Sequence, residues 1–164
     1  MAISTPTRSA QFTDDLYSLK DPVNPGTPVF VLQAVLTFTA AGFTSAAAAD
    51  IALLSLPAGN IRILRDLSFL KCPVGTVTSD LDVGLQAYTK ADGTTQTIQG
   101  IALADSLDVG GAALEQVLPL PAGDGGSLLV NSAFGVVVAC SFDTANSPAA
   151  GTLILKLAYQ REPL

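Results

Sequence analysis

Residues 60–90, NIRILRDLSFLKCPVGTVTSDLDVGLQAYTK, contain two stretches in which apolar and polar side chains alternate. In the first, the apolar residues of one parity are Ile61, Ile63, Leu67 and Phe69, and the polar residues of the other are Arg62, Asp66 and Ser68. In the second, the apolar parity holds Leu81, Val83, Leu85 and Ala87, against Asp82, Gly84 and Gln86. A period of two predicts half-buried strands. A helix would point Ile61 and Ile63 to different faces. The pair Leu64-Arg65 interrupts the first alternation, which predicts a β-bulge.

The flanking segments also have strand character. Residues 29–39 (VFVLQAVLTFT) are rich in β-branched and aromatic side chains, and residues 51–56 form a second apolar run. Residues 40–50 (AAGFTSAAAAD) are too short for a stable helix, so they are predicted to form a loop with at most one helical turn. Asp92-Gly93 is a hairpin turn signal, and residues 94–98 are predicted to be its return strand.

The C-terminal half continues as short strands separated by Gly- and Pro-rich turns. Strands are predicted at 113–120, 128–130, 135–142 and 152–160, whereas residues 101–109 are compatible with a short helix or with a loop and strand. Eight or nine short strands without helical periodicity indicate an all-β fold, an antiparallel β-sandwich that we expect to be jelly-roll-like, with a barrel as the alternative. No linker interrupts residues 28–164, so they are predicted to form one domain.

Residues 1–27 differ from the rest, because Ser, Thr, Asp and Pro dominate them. Proline fixes φ and lacks an N–H group, so this segment is predicted to be an extended N-terminal arm. It nevertheless carries Phe12, Leu16, Tyr17 and Leu19, which a merely disordered tail has little need of. These four side chains pack either on their own domain or on a neighbouring subunit, and in the second case they form a protein interface.

The composition argues against several classes of function. The formal net charge is −6 and the eight Lys and Arg residues are scattered, so no basic surface for nucleic acid is expected. The mean hydropathy of +0.47 is high, yet no apolar run reaches the length of a membrane span and no secretory signal opens the chain. Surplus hydrophobicity without a membrane segment indicates surface that is buried in an oligomer or a larger assembly.

The sequence offers few groups for a chemical site. The chain has no histidine, which excludes a Ser-His-Asp or Cys-His arrangement, and the GDGGS stretch lacks the lysine of a phosphate loop. Cys72 and Cys140 lie in apolar strand-like runs and are expected to be buried thiols; whether they pair is left open. The acidic pairs Asp80/Asp82 and Asp105/Asp108 are expected to be solvated at turns and strand edges. We therefore expect no enzyme, no catalytic residue, no cofactor, no metal site and no small-molecule substrate.

Three successive stretches carry a resemblance to a known class of protein: VFVLQAVLTF at 29–38, LSLPAGNIRILRDLSF at 54–69 and TSDLDVGLQAYTKADG at 78–93. A strand that enters an LPAG turn, a second strand and then a DVG strand resemble the small β-rich virion proteins of tailed bacteriophages. Such proteins are often jelly-roll decoration or cement proteins of the capsid and are commonly trimeric. The resemblance covers residues 29–93, and the family has no catalytic residues to carry over.

The resemblance implies a homotrimer that is assembled in the host cytoplasm, sits on the capsid surface of the virion and binds the major capsid protein. Two alternatives remain open on the residues alone. One is a receptor- or carbohydrate-binding sandwich from a tail or fibre, which would display a local aromatic or acidic cluster. The other is a tail or neck structural subunit.

Overall fold

The computed structural model describes residues 28–38, 51–75, 78–118, 127–143 and 147–162, and in them the chain forms strands and turns without helix. The strands are β1 (Val29–Phe38), β2 (Ile51–Leu56), β3 (Gly59–Cys72), β4 (Asp80–Leu85), β5 (Tyr88–Thr89), β6 (Thr95–Gln96), β7 (Gln99–Asp108), β8 (Leu114–Val117), β9 (Ser127–Ser132), β10 (Val136–Asp143) and β11 (Gly151–Arg161). The all-β prediction is confirmed. The predicted loop at 40–50 and the predicted arm at 1–27 lie outside the described residues.

The strands form two antiparallel sheets that pack as a sandwich. In the first sheet the order is β1-β11-β3-β8, and β9 pairs with the other half of β3 on the same side as β8. The second sheet has the order β2-β10-β4-β7, and a separate hairpin holds β5 and β6. From β1 to β4, and again from β7 to β11, the chain passes between the sheets, with β8 and β9 both in the first sheet. This order is compatible with a jelly roll.

The core lies between the two sheets and is made of aliphatic side chains from both. Leu70, Leu155 and Leu157 of the first sheet and Leu81 and Val83 of the second are fully buried. Phe38 and Phe142 meet edge to face, with ring centroids 5.8 Å apart. Because strands give alternate side chains to this layer, the period of two in the sequence correctly predicts the burial of Ile61 and Ile63 in β3 and of Leu81, Val83 and Leu85 in β4.

Strand β3 contains the predicted bulge, which is larger than a single extra residue. Ala158 of β11 faces Leu64, and Lys156 faces Phe69, so five steps on β3 match two on β11. Ser68 joins the two sides of the bulge: its hydroxyl donates to the Leu64 carbonyl (2.7 Å) and accepts from the Ala158 amide (2.9 Å).

The bulge corrects the predicted burial of the second half of β3. Its three extra residues switch the parity, so Ser68, Leu70 and Cys72 are buried after Ile61 and Ile63. The prediction that Leu67 and Phe69 continue the buried parity is therefore wrong: Leu67 is 61% exposed and Phe69 is half-buried. In the second predicted strand Ala87 is likewise exposed, because β4 ends at Leu85.

Two predicted turns are confirmed. Asp92-Gly93 closes the β5–β6 hairpin; Gly93 has φ 84°, and the Asp92 carboxylate accepts hydrogen bonds from the amide and hydroxyl of Thr94. The LPAG turn joins β2 to β3 and ends at Gly59, with φ 113°. Positive φ favours glycine at both positions. The ambiguous stretch at 101–109 belongs to a strand, β7.

Candidate interaction surface

The first sheet carries apolar side chains on the face that points away from the core. Strand register places these residues outside the sandwich, and Leu67 projects from the bulge beside them. We call this surface the apolar outer face and define it by Val35, Leu67, Phe69, Val117, Leu129 and Ile154. Val35, Val117 and Leu129 are each about half exposed, at 49%, 52% and 55%. An antiparallel sheet with one solvated face normally alternates apolar and polar residues, so this face departs from the pattern.

Two ion pairs lie at opposite ends of the apolar outer face. Lys71 Nζ is 3.0 Å from Glu115 Oε2, in the same cross-strand row as Val35 and Ile154. At the other end, Arg62 Nε donates to Glu162 Oε1 at 2.5 Å and Arg62 Nη1 to Ser127 Oγ at 3.2 Å. Both pairs are partly exposed, so each contributes little to stability. They do neutralise the charges that border the apolar residues.

Lys156 lies between these ion pairs. It is exposed on β11 and stands in one cross-strand row with Gln33, Phe69 and Val117. Within the part of the chain that the structure describes, Lys156 has no ion-pair partner. Among the described residues, the face therefore combines apolar side chains with a lysine, Lys156, that forms no ion pair.

Other exposed apolar side chains are more scattered. Ile98 and Ile101 belong to the second sheet or its approach, and Phe134, 86% exposed, occupies the turn between β9 and β10. The Ala133 amide beside Phe134 donates to the Thr89 carbonyl, which ties this turn to the β5–β6 hairpin. Single exposed apolar residues are common on protein surfaces and need no function.

The predicted acidic pairs behave differently from one another. Asp80 faces Asp108 across β4 and β7, and Asp105 and Asp108 are exposed, as expected. Asp82 contradicts the prediction, because it is only 8% exposed; its carboxylate accepts a hydrogen bond of 2.7 Å from the Ser106 amide. Ser106 has φ 49° within an irregularity of β7, so Asp82 holds a structural kink. Among the described residues no group of three or more Asp, Glu, Cys or His could hold a metal ion.

Both cysteines are buried free thiols, as predicted. Burial raises the pKa of the Cys72 thiol from 9.0 to about 12. The pKa of Cys140 is also raised, first by burial and then by repulsion from a Cys72 thiolate. Thiols that stay protonated at neutral pH are poor nucleophiles, so this pair fits a packing role.

The predicted interface residues Phe12, Leu16, Tyr17 and Leu19 lie outside the described residues, so their role stays a prediction. Sequence reasoning missed the apolar outer face, although a signal was present: β1 is apolar at both parities apart from Gln33 and Thr37. A strand that is apolar on both sides is covered on both sides in most folds. No helix within the described ranges has the length and apolarity needed to cross a membrane.

Comparison with known proteins adds one structural relative. No known sequence family matches the chain, and no curated protein matches it by sequence. A solved structure of the capsid of Ralstonia phage GP4 contains a chain with the same fold, at a TM-score of 0.55 and 17% identity. The match covers 100% of this chain and 93% of that one. At this identity the likeness shows a shared β-sandwich fold over essentially the whole of both chains.

Proposed function

We propose that this chain is a structural virion protein of a bacteriophage, a decoration or cement subunit that binds and stabilises the capsid lattice. The observation that carries the proposal is the end-to-end likeness to a chain from the capsid of Ralstonia phage GP4. A match over a whole chain is more informative than one over a shared subdomain, because all of the strands described here take part in it. The apolar outer face supports the proposal as surface suited to protein contacts.

The proposed subunit is a homotrimer on the capsid surface, contacts the major capsid protein and joins the virion in the host cytoplasm. Its mechanism is mass action: a protein that binds only the assembled lattice stabilises that lattice by its binding free energy. Phe12, Leu16, Tyr17 and Leu19 of the N-terminal arm are proposed as residues of a protein interface, because large apolar side chains dominate the energetics of interfaces. We propose no enzymatic activity, cofactor or nucleic-acid partner for it.

The first test is the solution mass of the purified chain, measured by light scattering after size exclusion. We expect about three times the 16.7 kDa of one chain. The second test mixes the protein with empty capsids of its phage and, separately, with unassembled capsid protein. We expect saturable binding to the capsids alone and a higher capsid melting temperature.

The alternatives predict other results. Rings or tubes in electron micrographs would assign the chain to a tail or neck. Binding on a glycan array without capsid binding would indicate a receptor-binding module. A monomer that does not bind capsids would contradict the proposed function.

A further inference from the structure

The apolar outer face sets chemical requirements for whatever covers it. Docking would remove Phe69, Val117 and Leu129 from water, which favours an occupant with large apolar side chains. The same step would desolvate Lys156, which is costly unless the occupant brings a negative charge to the same place. A matching occupant is therefore a short segment in which carboxylates lie among apolar residues.

The chain itself contains such a segment. Residues 12–19, FTDDLYSL, place Asp14 and Asp15 between Phe12 and the pair Leu16-Tyr17. Nine residues, 20–28, separate this segment from β1, the edge strand of the sheet that carries the face. Fully extended, nine residues reach about 30 Å, about twice the 14 Å that four neighbouring strands occupy.

The connecting residues favour a partner copy over the same copy. Pro22, Pro25 and Pro28 lie within them, and prolines hold the chain and its preceding residues in extended conformations. A spacer extended in this way would carry the segment away from its own sheet. If each subunit docks its segment on the next subunit, the contact is heterologous. Such contacts close into a ring when the rotation between neighbouring subunits permits it.

We infer that residues 12–19 of one subunit dock on the apolar outer face of a second copy, with Asp14 or Asp15 against Lys156. This inference rests on the proposed homotrimer and names the contact that holds it together. It also assigns the arm to contacts between subunits, so the capsid would be contacted through other parts of the trimer.

Cysteine cross-linking of the full chain tests the inference. Asp15→Cys combined with Lys156→Cys introduces two thiols, while the native Cys72 and Cys140 are buried and do not compete. After mild oxidation, a non-reducing gel should show covalent dimers and trimers. The matched control combines Asp15→Cys with Asp105→Cys, an exposed position on the second sheet, and should remain mainly monomeric.

A second pair of variants tests the apolar contact. Val35→Thr, Val117→Thr and Leu129→Thr together keep β-branched or comparable strand-forming side chains while making the face polar. We expect at least a tenfold weaker trimer by light scattering over a dilution series, with an unchanged far-ultraviolet spectrum. Ile98→Thr with Ile101→Thr, exposed to the same degree elsewhere, should leave the mass unchanged.

The outcomes separate this inference from the proposed function. A cross-link within one chain would overturn docking on a second copy and assign the face to its own arm. If the protein is a trimer, the Asp15→Cys/Lys156→Cys pair forms no cross-link and the threonine variant stays trimeric, the inference is overturned. The proposed function as a trimeric virion subunit would still stand. A monomeric unmodified chain would instead contradict the proposed trimer itself.

Discussion

The close approach of β7 explains why position 84, which follows Asp82-Val83 in β4, is a glycine. A Cβ atom built there would meet the backbone oxygens of Gln99 and Gly100, because an irregular part of β7 crosses close above the strand. Gly84→Ala must move that backbone, so we expect a loss of about 1–3 kcal/mol of unfolding free energy in urea titrations. Gly111→Ala is the control, since its Cβ would meet nothing within 4 Å; a gain of a few tenths of a kcal/mol is expected. Equal losses for the two variants would contradict this explanation.

The buried thiols make stability depend on pH in the alkaline range. The folded pKa of Cys72 is raised from 9.0 to about 12, so the folded state holds this proton after the unfolded chain has released it. The contribution of this thiol to stability is thus fully present below pH 9 and is lost as pH rises towards 12. One such thiol costs about 1.4 kcal/mol of unfolding free energy between pH 7 and pH 10.

Denaturation of the wild type and of Cys72→Ala at pH 7 and at pH 10 measures the contribution of this thiol to the unfolding free energy. The variant is less stable at pH 7 because it leaves a small cavity. We expect it to lose less stability than the wild type on going to pH 10. Parallel losses would show that other groups cause the alkaline destabilisation. The difference between the two proteins removes the contributions that lysines and tyrosines make to both.

At the scale of elements, the bulge of β3 depends on one buried hydroxyl. Ser68→Ala would leave the Ala158 amide and the Leu64 carbonyl without the partner that each has in the folded chain. Buried polar groups that lose a hydrogen bond cost about 1–3 kcal/mol, and we expect a loss of that size in thermal or urea unfolding. Ser55→Ala, on the exposed side of edge strand β2, should change stability by less than about 0.5 kcal/mol.

The sequence predicts where strands lie better than which face they bury. Apolar, β-branched runs locate β1, β2, β10 and β11 to within a residue or two, because strand composition is a local property. Alternation also locates β4, although the predicted pattern continues to Ala87 and the strand ends at Leu85. The bulge of β3 is also visible as a break at Leu64-Arg65. The number of residues in that bulge is not, since it is set by pairing with β11 almost a hundred residues later. Because the bulge adds an odd number of residues, three, Leu67 is exposed instead of buried.

Nonlocal pairing also explains what was missed in the candidate site. Whether Val35 or Leu129 faces the core or the outside depends on which sheet the strand joins, and single-sequence patterns do not contain strand order. The burial of Asp82 has the same origin, because its partner, the Ser106 amide, comes from β7. Composition nevertheless signalled the result: a mean hydropathy of +0.47 predicted apolar surface in need of a partner.

At the scale of the whole molecule, one core joins strands from both ends of the described chain. β1 and β11 pair along ten residues, and β3 contacts β11, β8 and β9, so neither sheet is complete without distant segments. Such a structure is expected to unfold as a unit. The division into an arm at 1–27 and a single domain at 28–164 stays a prediction. Unfolding as a unit requires that the tyrosine fluorescence and the far-ultraviolet signal change over the same range of denaturant concentration.

A homotrimer that unfolds to three separate chains must become more stable as its concentration rises, because dissociation accompanies unfolding. A tenfold increase in protein concentration adds about 0.9 kcal/mol per chain, which corresponds to about 2–4 °C in melting temperature for a chain of this size. We expect this shift for the wild type in scanning calorimetry. Val35→Thr with Val117→Thr and Leu129→Thr should abolish it at concentrations low enough for the weakened trimer to dissociate before it unfolds, because the apolar outer face then gains less from burial. A melting temperature that is independent of concentration in the wild type would show that its subunits fold alone, and the apolar outer face would then need an occupant from its own chain.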